Sequence, residues 1–254
     1  MTYCVAITVN TGIVLASDSR TNAGVDQLST YNKMHQLLAN GERMITLLSA
    51  GNLATTQAVV RRLNHDLNTN GPRNIKALGT LAEIAEYVGE ISVAEQSKHS
   101  ASSEVGFKPE ASFILAGQIK NQPHQIYLVY PEGNYIRAAS RVPYLQIGEL
   151  KYGKPILDRI VEPDLDLETA ARCALVSMDS TMRSNLSVGP PVDLLIYKTD
   201  SCTSGDHYAL DEDDDYLRQL RLAWQNQLKE AFAKLPRLPS REPRMRLLDK
   251  PGDR

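Results

Sequence analysis

Thr2 stands directly behind the initiator methionine. Methionine aminopeptidases clip Met1 when the second residue is small, and clipping here leaves a threonine with both a hydroxyl and a free α-amine. An α-amine has an ordinary pKa of roughly 7.7–8.0, so it can accept a proton near neutral pH. Hydroxyl and amine on one residue make a nucleophile that carries its own base. Three further residues have types that would serve it. A lysine ammonium such as Lys33 disfavours protonation of a nearby amine. Asp18 would hold that lysine charged and oriented. A backbone N–H at Gly51 could donate to the oxyanion of a tetrahedral intermediate. Each also has a plainer reading: a small residue after a start codon, a turn cap, a surface lysine, a tight strand-to-helix turn.

The pattern of the chain predicts the elements that must position these residues. Tyr3 to Val9 is β-rich, Asn10-Thr11-Gly12 is a turn signal, and Ile13 to Ala16 is again apolar. Thr2 therefore opens the first strand of a hairpin and Asp18 closes the second. Thr21 to Asn32 is polar and reads as a loop or a short irregular strand pair. Arg43 to Ala50 is a strand stopped by Gly51-Asn52. Helices follow over about Leu53 to Leu67 and about Leu78 to Gln96, where apolar residues recur close to i, i+3, i+4 and i+7. Ser97 to Glu110 is polar and reads as a mobile connection.

Strands return at Ala111 to Gln118, His124 to Tyr130 and Asn134 to Ala138, with a turn at Pro131-Glu132-Gly133-Asn134. Gly153 to Val161 and Leu167 to Arg183 fit two more helices, and Val192 to Tyr197 a further strand. Blocks of strands separated by pairs of helices imply an α+β fold of antiparallel sheets, not a βαβ repeat. Nothing before about residue 200 looks like a repeat or a linker, so residues 1–200 read as one domain and residues 201–254 as a C-terminal extension. In that extension the acidic run Asp211 to Asp215 precedes an amphipathic helix over Tyr216 to Leu235. Acids favour the N-terminal end of a helix dipole, so the run reads as a helix start and not as a metal site. Pro236 to Arg254 reads as extended or docked on a neighbour.

Bulk properties exclude several classes of function. A net charge of −2 gives no electrostatic reason to invoke nucleic acid or an anionic membrane surface. No segment reaches the roughly 18 apolar residues of a membrane span, and the start lacks a secretion signal, so a cytoplasmic protein that keeps Thr2 at its tip is expected. The three cysteines, Cys4, Cys173 and Cys202, are too widely spaced for a disulfide framework or a zinc site. The five histidines show no ligand spacing and read as surface or turn residues. No metal and no cofactor is expected. No G-x-x-x-x-G-K-[ST] loop is present, so any ATPase that unfolds substrates is a separate protein.

Taken in order, these segments resemble the proteasome β-type family, which includes the bacterial relative HslV. Thr2-Tyr3-Cys4-Val5-Ala6-Ile7 is similar to the family's mature start. Ala16 to Arg20 matches its acidic strand end, Asn32-Lys33-Met34 its lysine segment, and Ser49 to Gln57 its strand–glycine–helix segment with the oxyanion amide. Arg183 to Ser187, followed by Gly189 and Val192-Asp193-Leu194, resembles the segment behind the nucleophile. The resemblance covers roughly residues 2 to 198 and fits best the stand-alone bacterial branch called Anbu. Three departures stand out. Lys33 is one residue closer to the threonine than in most β subunits. Ser184 replaces the family's Asp, leaving Ser187 as the matching serine. Glu149, after Gly148, falls where the family has another serine.

The resemblance implies a four-layer αββα sandwich of the N-terminal-nucleophile hydrolases. It also implies a threonine peptidase acting on peptides or unfolded proteins, with Thr2, Asp18, Lys33, Gly51 and Ser187 as its machinery. It places Thr21, Asn22, Tyr31, Ser49 and Leu53 around the side chain before the scissile bond. A homo-oligomer follows, as a ring or an open helix, with the amphipathic tail crossing a subunit boundary. Two other readings share the sequence: a proteasome-like scaffold with little or no peptidase activity, and an amidase acting on a non-protein amide.

Overall fold

Tyr3–Val9 (β1) and Gly12–Asp18 (β2) are apolar at nearly every position because both of their faces are covered. In the computed structural model, which describes residues 1–22, 28–69, 71, 73–100 and 108–238, these two strands lie at the centre of a sheet. The sheet runs β10 (Tyr144–Gly148), β1, β2, β11 (Val192–Lys198), β12 (Asp206–Leu210), every neighbour antiparallel. The second sheet runs in chain order: β5 (Met34–Ala39), β6 (Arg43–Gly51), β7 (Ala111–Ile119), β8 (Gln125–Val129) and β9 (Tyr135–Arg137). A small hairpin, β3 (Arg20–Asn22) with β4 (Leu28–Thr30), follows β2 and precedes β5 along the chain; residues 23–27 lie outside the described residues.

Strand alternation divides each sheet between two cores. Cys4, Ala6, Ile13 and Leu15 of the first sheet meet Met44, Leu48, Ile114 and Ala116 of the second in a core between the sheets. Tyr3, Val5 and Ile7 point the other way, onto α3 (Lys154–Ile160) and α4 (Leu167–Ser184). Ile45, Leu47, Phe113 and Leu115 likewise cover α1 (Leu53–Asn68) and α2 (Leu81–Ser100). The result is the four-layer αββα sandwich that the family resemblance implied. Burying a large apolar side chain stabilises by about 1.5–3 kcal/mol, and the three cores together fix the register of β1 and hence the place of its first residues.

Boundaries moved where capping competes with periodicity. The second helix begins at Leu81, not Leu78, because Glu83 accepts from the Gly79 and Thr80 amides while Thr80 Oγ1 accepts from the Glu83 amide, a reciprocal capping box. It runs on to Ser100, so the polar connection is shorter than expected, and residues 101–107 lie outside the described residues. Three strands had gone unread. The β5 segment has a register shift between Gln36 and Leu38 that spoils its alternation. The β10 strand is short, and Gly148 closes it. In β12 only Leu210 is buried, so no apolar pattern marks it.

The acidic run does start a helix. Asp214 caps α5 (Asp215–Ala233), its carboxylate accepting from the Leu217 amide at 2.9 Å. Leu217 is buried against α4, Leu220 packs beside it, and Arg221 pairs with Asp179 at 2.6 Å. Farther along, Leu222, Leu228 and Phe232 are exposed, the last by 75%. Residues 239–254 of the tail lie outside the described residues. No helix among the described residues is long and apolar enough to cross a membrane.

Candidate active site

Asp18 ends β2 with its carboxylate fully buried and three donors around it. Lys33 Nζ donates to Oδ1 at 2.7 Å, the Tyr3 amide donates to the same oxygen at 2.9 Å, and the Gly189 amide donates to Oδ2 at 3.2 Å. Lys33, whose side chain is 7% exposed, also donates to the Arg20 carbonyl at 2.7 Å. Burial pushes the Asp18 carboxyl above its ordinary value, against the pull of the Lys33 ammonium and the two amides. A buried ion pair survives its desolvation cost only when the remaining hydrogen-bonding capacity is met, and here backbone from both sides of the site meets it. Asp18 thereby ties together β1, the segment before β5 and the turn before β11.

Thr2 is half-buried at the edge of this cluster. Its carbonyl accepts from the Glu149 amide at 2.7 Å, and its neighbour's amide is the one held by Asp18. Gly148 makes this approach possible. Its φ of +86° is a left-handed conformation, and a Cβ there would lie 2.0 Å from the Thr2 carbonyl oxygen. Tyr3 is anchored on its other face: its hydroxyl lies 2.6 Å from Ser177 Oγ on α4 and accepts from Gln146 Nε2 at 2.6 Å. Residues flanking Thr2 are therefore held by β2, β10 and α4 at once.

The other expected residues fall as follows. Gly51 ends β6 with φ +112°, where a Cβ would come within 2.4 Å of the Glu110 carbonyl, and Asn52 behind it caps α1. Across the core, Cys4 Sγ contacts the Ser49 carbonyl at 3.7 Å, two residues from both Thr2 and Gly51. Ser187 sits in the turn after α4, its amide donating to Asn185 Oδ1 at 3.0 Å, and the same turn supplies the Gly189 amide to Asp18. Of the five residues that the family resemblance implies around a substrate, Thr21 is half-exposed on β3 and Asn22 ends that strand. Tyr31 is exposed, its amide donating to the Ser19 carbonyl. Leu53 opens α1, half-buried. Ser49 is buried, with its hydroxyl 3.3 Å from His35 Nε2. His35 is the outer of these two groups, and burial lowers its pKa.

Sequence reasoning did not place Tyr3, Gln146 and Ser177 at the site, nor the link from Glu149 to Asn185, whose Nδ2 donates to Glu149 Oε2 at 3.1 Å. Ser177 lies 174 residues from Tyr3, and no local pattern marks such a pair. His124, read with the other histidines as a surface or turn residue, is half-buried and bridges the Val9 carbonyl and Thr199 at the far end of β1. Among the described residues no group of three or more His, Cys, Asp and Glu is placed to hold a metal.

The family model described as "Proteasome subunit" matches residues 2–196. Among solved structures, Anbu (ancestral beta-subunit) from Yersinia bercovieri is 42% identical, with a TM-score of 0.88 over 94% of this chain and 100% of that one. Anbu from Hyphomicrobium sp. strain MC1 is 41% identical, with a TM-score of 0.85 over 94% and 100%. A structure titled as the helical assembly of the Anbu complex from Pseudomonas aeruginosa is 41% identical, with a TM-score of 0.88 over 94% and 98%. No curated protein matches the chain.

Proposed function

Since this chain belongs to the proteasome subunit family, in its Anbu branch, we propose that it is a threonine peptidase whose nucleophile is Thr2, freed by removal of Met1. The observation that carries this reading is the buried Asp18–Lys33 pair, tied by its carboxylate to the Tyr3 amide next to Thr2. A surface pair would need no such burial. A lysine ammonium 2.7 Å from Asp18 puts a positive charge beside the chain end, which favours a neutral amine and an ionised hydroxyl.

The reaction runs in two steps. Thr2 Oγ attacks the peptide carbonyl while the α-amine, directly or through a water, takes the hydroxyl proton. The Gly51 amide donates to the oxyanion. The C–N bond breaks, the departing amine takes up that proton, and an ester joins the acyl group to Thr2. Water then hydrolyses the ester, again with the α-amine as base, and restores the hydroxyl. Ser187 supports the proton path from the turn that feeds Asp18. Thr21, Asn22, Tyr31, Ser49 and Leu53 border the side chain before the scissile bond. The substrates are peptides or unfolded proteins.

The α5 helix supports a homo-oligomer. Leu228 and Phe232, one turn apart, and Leu222 on another side of α5 leave apolar surface uncovered in the single chain, and the Pseudomonas aeruginosa relative is described as a helical assembly. Within the extension β12 joins the sheet edge, and α5 presents this apolar surface to a neighbouring copy.

The test of the peptidase reading is hydrolysis of a fluorogenic peptide mixture by chain whose intact mass shows Met1 removed. Thr2→Ala should reduce the rate to background. Equal rates for Thr2→Ala and wild type would sink the reading and leave a scaffold. For assembly, truncation after Leu210 should shift the size-exclusion profile towards smaller species; an unchanged profile refutes the role of α5.

A further inference from the structure

Glu149 stands directly across the sheet from Thr2. The β1–β10 ladder pairs Tyr3 with Gly148, and the Glu149 amide bonded to the Thr2 carbonyl extends that register by one residue. Residues opposite one another in an antiparallel pair have Cβ atoms about 4.5–5.5 Å apart, and Gly148, at φ +86°, turns the chain between the ladder and Glu149. The carboxylate is steered by the turn after α4: Oε2 accepts from Asn185 Nδ2, whose Oδ1 accepts from the Ser187 amide. Oε1 accepts from the Lys151 amide at 3.3 Å. Among the described residues Glu149 has no ion-pair partner.

We propose that Glu149 is a positioning residue for the Thr2 α-amine: its carboxylate holds the ammonium form of that amine and so sets the pH at which it becomes a base. The proposal rests on the peptidase reading for its functional meaning. The other charges at this end come from every element around Thr2. Asp18 on β2 and Lys33 ahead of β5 are paired with each other. Asp193 on β11 is engaged by Ser19 Oγ and by His207 on β12, and Arg20 reaches the Leu186 carbonyl. Asp18, Lys33 and Asp193 all act on the buried Cys4 thiol two residues beyond Thr2. Of these groups, Arg20 and Glu149 are left without an ion-pair partner among the described residues, and Glu149 is the one whose amide bonds to the Thr2 carbonyl.

The sign follows directly. A neighbouring anion stabilises the ammonium and raises the amine's pKa, so the neutral, basic amine is reached only at higher pH. Glu149→Gln keeps an acceptor for Asn185 and removes the charge. For unit charges about 5 Å apart at a partly exposed site, the midpoint should fall by about one pH unit. At neutral pH the basic fraction then rises by up to about tenfold, and the acid limb of kcat/KM moves by the same amount.

The experiment is competitive labelling of the α-amine with isotopic acetic anhydride across pH 5–10, read by mass spectrometry of the N-terminal peptide. It uses the assembled full chain with Met1 removed, as wild type, Glu149→Gln and Glu149→Asp. The expected result is a midpoint about one unit lower in Glu149→Gln and retained in Glu149→Asp, with the difference shrinking in 1 M salt. Midpoints within about 0.2 units for all three overturn the inference and leave the peptidase reading intact. Labelling needs no peptide hydrolysis, so a shifted midpoint alongside a fully active Thr2→Ala would overturn only the peptidase reading.

Discussion

Asp18→Asn is the substitution whose cost the geometry fixes most tightly. The carboxylate has no exposed surface and accepts from Lys33, the Tyr3 amide and the Gly189 amide. An asparagine offers one acceptor oxygen, so its Nδ2 must face one of those three donors. Lys33 is left buried without a counter-charge, with only neutral acceptors: the Arg20 carbonyl and at most the new amide oxygen. Removing one partner of a buried pair typically costs about 3–5 kcal/mol. Burial holds the Asp18 carboxyl above its ordinary value, so the substitution also relieves some desolvation, and the net should fall near the lower end, about 3 kcal/mol. At about 2–4 °C per kcal/mol for a chain of this size, the unfolding temperature should drop by about 6–12 °C. Differential scanning calorimetry at one fixed protein concentration reads this, the concentration being fixed because assembly shifts the midpoint. Adding Lys33→Met removes the stranded charge and should recover part of the loss, which makes the pair strongly non-additive. An Asp18→Asn chain that melts within about 2 °C of wild type would refute the burial argument.

Three other outcomes are expected. Gly148→Ala puts a Cβ 2.0 Å from the Thr2 carbonyl at a φ of +86°; kcat/KM for peptide hydrolysis should fall by at least about tenfold, since displacements of an ångström can cost about 10²-fold, and a rate within about twofold of wild type would count against the placement of Thr2. Tyr3→Phe strips the partner from Ser177 Oγ and Gln146 Nε2 and should cost about 1–3 kcal/mol in urea unfolding; no loss would mean the hydroxyl is not engaged. The Cys173 thiol is pushed up to about 11 by burial, so at pH 8 only about 10⁻³ of it is thiolate, the reactive form; a thiol reagent should label it at least about 100-fold more slowly in the native chain than in urea, and equal rates would contradict its burial.

Much of the frame could be read from residue patterns because local signals and tertiary packing agree there. The β1–β2 hairpin announced itself through Asn10-Thr11-Gly12, and α4 through apolar spacing that the core later uses at Ala170, Ala174 and Met178. Where the two disagree, the pattern failed. In β12, Asp206 to Ala209 are exposed and the strand exists because β11 offers an edge to pair with, a fact no local window contains. The β5 shift at Gln36 likewise answers to β6. The Asp18–Lys33 pair could be anticipated from residue types, but its burial and its amide donors could not. Gly189 reaches Asp18 only because β11 lies beside β2. Ser49 shows the same limit: its identity suggested a lining residue, and only the packing under His35 shows where its hydroxyl goes.

The hydrogen bonds that hold the chain start all fall on the C-terminal side of the Met1–Thr2 peptide bond. They are the Thr2 carbonyl to Glu149, the Tyr3 amide to Asp18 and the Tyr3 hydroxyl to Ser177. Met1 itself is 66% exposed. Excision of that one residue therefore leaves the framework standing and converts an amide nitrogen, which cannot serve as a base, into an amine that can. In the proposed mechanism, maturation is a change of chemistry without a change of architecture. On that mechanism folding runs to completion on a chain that is still inert, and a single external cleavage decides when it ceases to be.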